Sequence, residues 1–82
     1  MLQPLTLVVA KTFSGKEVVK ILCRDFGFFV VSQKGSHVKL RKIVGRRTLT
    51  TVVPLHKELA RGTIFGILEL AEISEEDFKK FR

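Results

Sequence analysis

Two short segments of alternating polarity, Phe28–Lys34 and His37–Ile43, are separated only by Gly35-Ser36. No other feature limits the fold as strongly. A two-residue link makes the segments antiparallel neighbours, and glycine in the first central position suits a type II′ turn. Their β-branched and aromatic content fits strands. Counting outward from the turn pairs Lys34 with His37, Ser32 with Lys39 and Val31 with Leu40. Strand side chains alternate between faces. This register therefore predicts an inner face of Phe29, Val31, Val38 and Leu40. Ser32, Lys34, His37, Lys39 and Arg41 point outward, and Phe28 shares their parity.

The flanking segments complete an antiparallel sheet with helices around it. Val44-Gly45-Arg46-Arg47 leads into a third strand, Thr48–Val53, whose register depends on whether the loop holds two or three residues. Pro54 closes that strand because it has no N–H to give to a ladder. Upstream, Ser14 and Glu17 have capping-box spacing, Val18, Ile21, Leu22 and Phe26 recur at helical intervals, and Gly27 suits a left-handed helix stop. Downstream, Leu55–Arg61 is a connector with room for one helical turn. A second helix follows, with Thr63 as N-cap and Ile64, Ile67, Leu68 and Ala71 as its apolar face. Ser74 caps a last short helix that offers Phe78 and Phe81 to the core, with acids at its start and Lys79, Lys80 and Arg82 at its end. The predicted class is α+β: an α-β-β-β-α order, a three-stranded antiparallel sheet with helices on one face, and a short C-terminal helix. Residues 1–13 read as an N-terminal extension in which Leu5–Val9 can add an edge strand, and residues 14–82 as a single domain.

Size and charge bound the function. A chain of 82 residues buries only about 60–65% of its unfolded surface, which excludes a large cleft between domains. Any chemistry must sit on a surface and use few residues. The net charge of +7 and pI near 10.1 favour a polyanionic partner, nucleic acid before an anionic membrane. Between Phe26 and Lys57 there is no Asp or Glu, while Lys34, Lys39, Arg41, Lys42, Arg46, Arg47 and Lys57 all fall there. Cys23 is the only cysteine, so it has no intramolecular disulfide partner; it suits a small buried hydrophobe in a reducing compartment. No Cys/His cluster has zinc spacing. No apolar run approaches the roughly 20 residues of a membrane span. Leu5–Ala10 lacks the basic start of a secretory signal.

Several blocks together resemble the HicA family of toxins. They are Ser14-Gly15-Lys16-Glu17-Val18-Val19-Lys20-Ile21-Leu22, then Gly27-Phe28, then Gln33-Lys34-Gly35-Ser36-His37. Val53-Pro54-Leu55-His56-Lys57-Glu58-Leu59, Gly62-Thr63-Ile64 and Ile67-Leu68 follow in family order. The resemblance implies a small ribonuclease that cuts messenger RNA in the cytoplasm and is held inactive by a HicB-type antitoxin. It also implies a fold like a double-stranded-RNA-binding domain, with the catalytic histidine of the Gly-Ser-His block at His37. Two features depart from the family: Val38 stands where a second histidine is common, and the extension before Ser14 is longer than usual.

The residues themselves are compatible with that chemistry. Metal-free RNA cleavage needs a 2′-hydroxyl deprotonated, a leaving oxygen protonated and phosphate charge stabilised. Imidazole titrates near neutrality and can serve either proton transfer. Without the resemblance, His37 reads first as a polar residue beside a turn and only second as catalytic. Lys34, Lys39 and Arg41 can hold the phosphate, and the Gly35 and Ser36 N–H groups add neutral donors. Arg46 and Arg47 are further candidate RNA contacts, or else a solvated turn; His56 reads first as fixing its loop, with an RNA contact or a second proton transfer as its functional alternative. Ser36 reads as a turn former, since no acid or base supports it as a nucleophile. A non-catalytic RNA-binding module using the same face is the competing class. No metal or cofactor is implied, and the oligomeric state is not legible.

Overall fold

Ser14 opens the first helix, α1 (Gly15–Asp25), through the reciprocal bonds that its spacing to Glu17 predicts. The Glu17 N–H donates to Ser14 Oγ at 3.1 Å, and the Ser14 N–H donates to Glu17 Oε1 at 2.9 Å. Val18, Ile21 and Leu22 are buried. Gly27 takes a φ of 77°, and the Phe28 N–H turns back to the Leu22 carbonyl at 3.0 Å, so the chain leaves the helix beneath its own last turn. Ser14→Ala removes one of the two capping bonds. It should cost about 1 kcal/mol, a fall of about 4–8 °C in the midpoint of a thermal melt for a domain of this size.

The computed structural model, which describes residues 12–82, then forms β1 (Phe29–Lys34), β2 (His37–Val44) and β3 (Arg47–Pro54) in the order β1-β2-β3. Both hairpin turns have two residues, with glycine first: Gly35 has φ 60° and Gly45 has φ 62°, while Ser36 and Arg46 stay at negative φ. That is the type II′ pattern. The shorter loop resolves the open register of the third strand. Val44 faces Arg47, so β3 starts one residue before Thr48 and runs on to Pro54.

The register of the first hairpin holds for Lys34 with His37 and Ser32 with Lys39, then slips. Val30, not Val31, faces Leu40, because an extra residue bulges between Val30 and Ser32. Side-chain parity is inverted beyond the bulge. Phe28 is buried, whereas Phe29 is 46% and Val31 40% exposed, so neither belongs to the inner face expected for it. The cause is a conflict between the strand's two ends. Phe28 is held under α1 by its bond to Leu22, the Gly35 turn fixes parity at the other end, and one extra residue reconciles them.

Leu55–Ala60 contains no helical turn. The second helix, α2 (Arg61–Ala71), has Ala60 at its N-cap with no side-chain bond, so Thr63 lies inside the first turn rather than capping it. Tertiary contacts set this start: Leu59 is buried, and its N–H reaches the Phe13 carbonyl at 2.9 Å. The predicted apolar face is the observed one, with Ile67, Leu68 and Ala71 buried and Ile64 packed beside them. Ser74 caps α3 (Glu75–Lys79) through the Asp77 N–H. Phe78 is fully buried. Phe81 remains 39% exposed and packs edge-on against Phe26 at 5.1 Å.

Val38, Leu40 and Val53 from the sheet meet Val18, Leu22, Leu68 and Phe78 from the helices to make the core. Thr51, the buried polar residue of that layer, donates its hydroxyl to the Ile67 carbonyl at 3.0 Å. Phe13 joins the core with its ring 5.1 Å from Phe78. The candidate strand Leu5–Val9 lies outside the described residues.

Candidate nucleic-acid interface

Five segments converge at one corner of the sheet. Lys34, His37 and Pro54 form a row across the three strands. One step further, the Leu55 N–H donates to the Ser36 carbonyl at 2.6 Å, and the His56 carbonyl accepts the Gly15 N–H at 2.9 Å. The turn, the start of β2, the end of β3, the connector and the first residue of α1 are thereby tied together. Gly15 makes this approach possible, because a Cβ there would stand 2.1 Å from the Pro54 carbonyl oxygen. Pro54 fits at the strand end, where no ladder bond needs its missing N–H.

The corner's outer surface is cationic and open. Lys34, Gly35, Ser36, His37, Lys39 and His56 are all exposed. Facing residues on paired strands have Cβ atoms about 5 Å apart, which puts Lys34 beside His37; Lys39, two residues along, is about 7 Å away. Arg41 continues the same face, half-buried, with its Nε 3.4 Å from Thr50 Oγ1. Among the described residues no carboxylate pairs with Lys34, Lys39 or Arg41, and neither imidazole has a hydrogen-bond partner. The Gly35 and Ser36 N–H groups likewise meet no acceptor there, while Gln33 Nε2 braces the turn through the Gly35 carbonyl at 3.0 Å. An exposed imidazole flanked by two ammonium groups and free backbone donors can receive a phosphodiester.

The sequence matches the family described as HicA toxin of bacterial toxin-antitoxin over residues 15–73, more than two thirds of the chain. The chain belongs to the HicA toxin family. It is therefore the toxin half of a toxin–antitoxin pair, and an antitoxin is its protein partner. No curated protein matches it. The matched span runs from the first residue of α1 to just beyond α2, and so contains the whole His37 corner.

Not every candidate of this HicA toxin gathers there. β2 has eight residues, so Arg46, in the turn beyond its far end, lies about 25 Å from His37 at about 3.3 Å per residue. Arg47 faces the helical side, where its Nη1 donates to Glu72 Oε1 at 3.1 Å and its Nη2 contacts Oε2. The hydrogen-bonded guanidinium holds the Glu72 carboxyl below its usual range. Cys23 is half-buried against the core, and burial pushes its thiol up, away from the reactive thiolate. No three His, Cys, Asp or Glu residues come together as a metal site among the described residues, and no helix there is long and apolar enough to cross a membrane.

Two features had no signal in the sequence. Phe29 reaches the outer face only through the bulge. Gly15 reads as an ordinary first helical residue until its contact with Pro54 is seen.

Proposed function

We propose that this HicA toxin is a metal-independent endoribonuclease that cleaves messenger RNA at the His37 corner, with residues 14–82 as its single catalytic domain. The observation that carries the reading is the exposed imidazole between Lys34 and Lys39 on an acid-free sheet face. In the reaction the RNA 2′-oxygen gives up its proton and attacks the adjacent phosphorus. The bond to the 5′-oxygen breaks, and that oxygen takes up a proton, leaving a 2′,3′-cyclic phosphate and a 5′-hydroxyl. His37 carries one of these proton transfers as general base or acid. Lys34, Lys39 and the Gly35 and Ser36 N–H groups face the non-bridging oxygens, where negative charge builds. Arg41 and Arg46 follow the strand along β2, and His56 contacts RNA from the connector. Arg47, held by Glu72, has no part in this reading. A HicB-type antitoxin blocks the corner in the cytoplasm, where the substrate is found.

Incubating the purified protein with messenger RNA, with and without EDTA, tests the proposal. Cleavage to cyclic-phosphate ends at equal rates in both samples is expected. RNA that is bound in a salt-dependent way but stays intact points to the non-catalytic binding module. Cleavage lost on chelation would overturn the metal-free mechanism.

A further inference from the structure

We infer that Phe29 is a stacking platform for a base of single-stranded RNA, a role that rests on reading the chain as an RNA-cleaving toxin. The bulge places this ring on the outer face, paired across the strands with Arg41. It is 46% exposed, on an edge strand whose residues are all exposed. The bond from Arg41 to Thr50 draws the guanidinium toward β3. The cation–π contacts among the described residues cover Phe13, Phe28 and Phe65, and Phe29 has none. An uncovered ring thus sits opposite Arg41, beside the exposed Ile43, on a sheet with no carboxylate in any of its three strands.

Charge complementarity selects a polyanion, and a planar ring suits one with free π-faces. Single-stranded RNA offers unstacked bases, whereas in a duplex the base faces are already stacked on each other. Arg41 lies four residues from His37, about 13 Å along the strand. The base on Phe29 therefore belongs to a nucleotide beside the cleaved linkage, not at it.

The chain contains no Trp or Tyr, so Phe29→Trp introduces a single indole that reports on its own surroundings. In a His37→Ala background, which keeps the RNA intact, a short single-stranded oligoribonucleotide should quench its emission. The matching duplex should not, nor should the single strand quench Phe65→Trp, a control on α2. Phe29→Leu keeps apolar bulk without a ring. It should weaken single-strand affinity roughly ten- to hundredfold by fluorescence anisotropy. Single-strand affinity unchanged in Phe29→Leu, or emission unmoved while RNA binds, overturns the inference and leaves the patch to a protein such as the antitoxin. If the His37→Ala protein binds no RNA, the stacking role falls as well. If the parent protein binds RNA but does not cut it, only the ribonuclease reading fails.

Discussion

His37→Ala is expected to lower the rate of messenger RNA cleavage roughly 10²–10⁴-fold, the usual contribution of a positioned proton-transfer group. The fold should not change. The side chain is exposed and bonds to nothing among the described residues, so its removal leaves no cavity and no orphaned polar atom; surface changes of this kind alter stability by less than about 0.5 kcal/mol. Affinity for RNA should largely persist, because Lys34, Lys39 and Arg41 still neutralise phosphates. A chemical role therefore separates from a structural or binding one. Cleavage collapses while the melting temperature and the anisotropy titration stay near those of the parent. In cells, expression of the parent should arrest growth and the variant should not. A His37→Ala protein that cuts RNA at the parent's rate would remove the histidine from the mechanism.

The part of the site nearest the Gly35-Ser36 turn was legible because a two-residue link leaves one pairing for its neighbours. Lys34 opposite His37 needed only that count. Each further residue depended on the ladder continuing without interruption, and at Val31 it does not. The bulge answers to Phe28 being drawn under α1, a contact that no local pattern of β1 records. Prediction failed in the same way at Ala60, where the buried Leu59 outweighs the capping preference of Thr63, and the pairing of Arg47 with Glu72, on another element, had no local signal either. Ser14 and Ser74 cap as expected because capping is decided within four residues. What local chemistry decides could be read. What a distant contact decides could not, and the close approach at Gly15 belongs to the second kind.

Gly15→Ala is expected to be strongly destabilising, although helix propensity argues for the opposite sign. Alanine is favoured over glycine in a helix by up to about 1 kcal/mol. Against that, the added carbon would lie 2.1 Å from the Pro54 carbonyl oxygen, 2.7 Å from Leu55 Cα and 2.9 Å from the Pro54 carbonyl carbon. All three are backbone atoms, so no rotamer change relieves the overlap, and α1 must move off the connector. Overpacking of this kind costs about 3 kcal/mol, and the 2.9 Å bond from the Gly15 N–H to the His56 carbonyl is strained with it. The net loss is about 2 kcal/mol, or about 8–16 °C in melting temperature. Gly66 gives the matched control. It lies within α2, where an added Cβ meets nothing within 4 Å, so Gly66→Ala should raise the melting temperature by a few degrees. The damage at Gly15 should also reach the His37 corner, because the shifted connector carries His56 and the Leu55 N–H that holds the Ser36 carbonyl at 2.6 Å. Cleavage measured well below the melting point should then fall in Gly15→Ala and be retained in Gly66→Ala. If both alanine variants melt at or above the parent's temperature, the connector moves aside at little cost, and the tie between α1 and the corner is not what holds His37 in place.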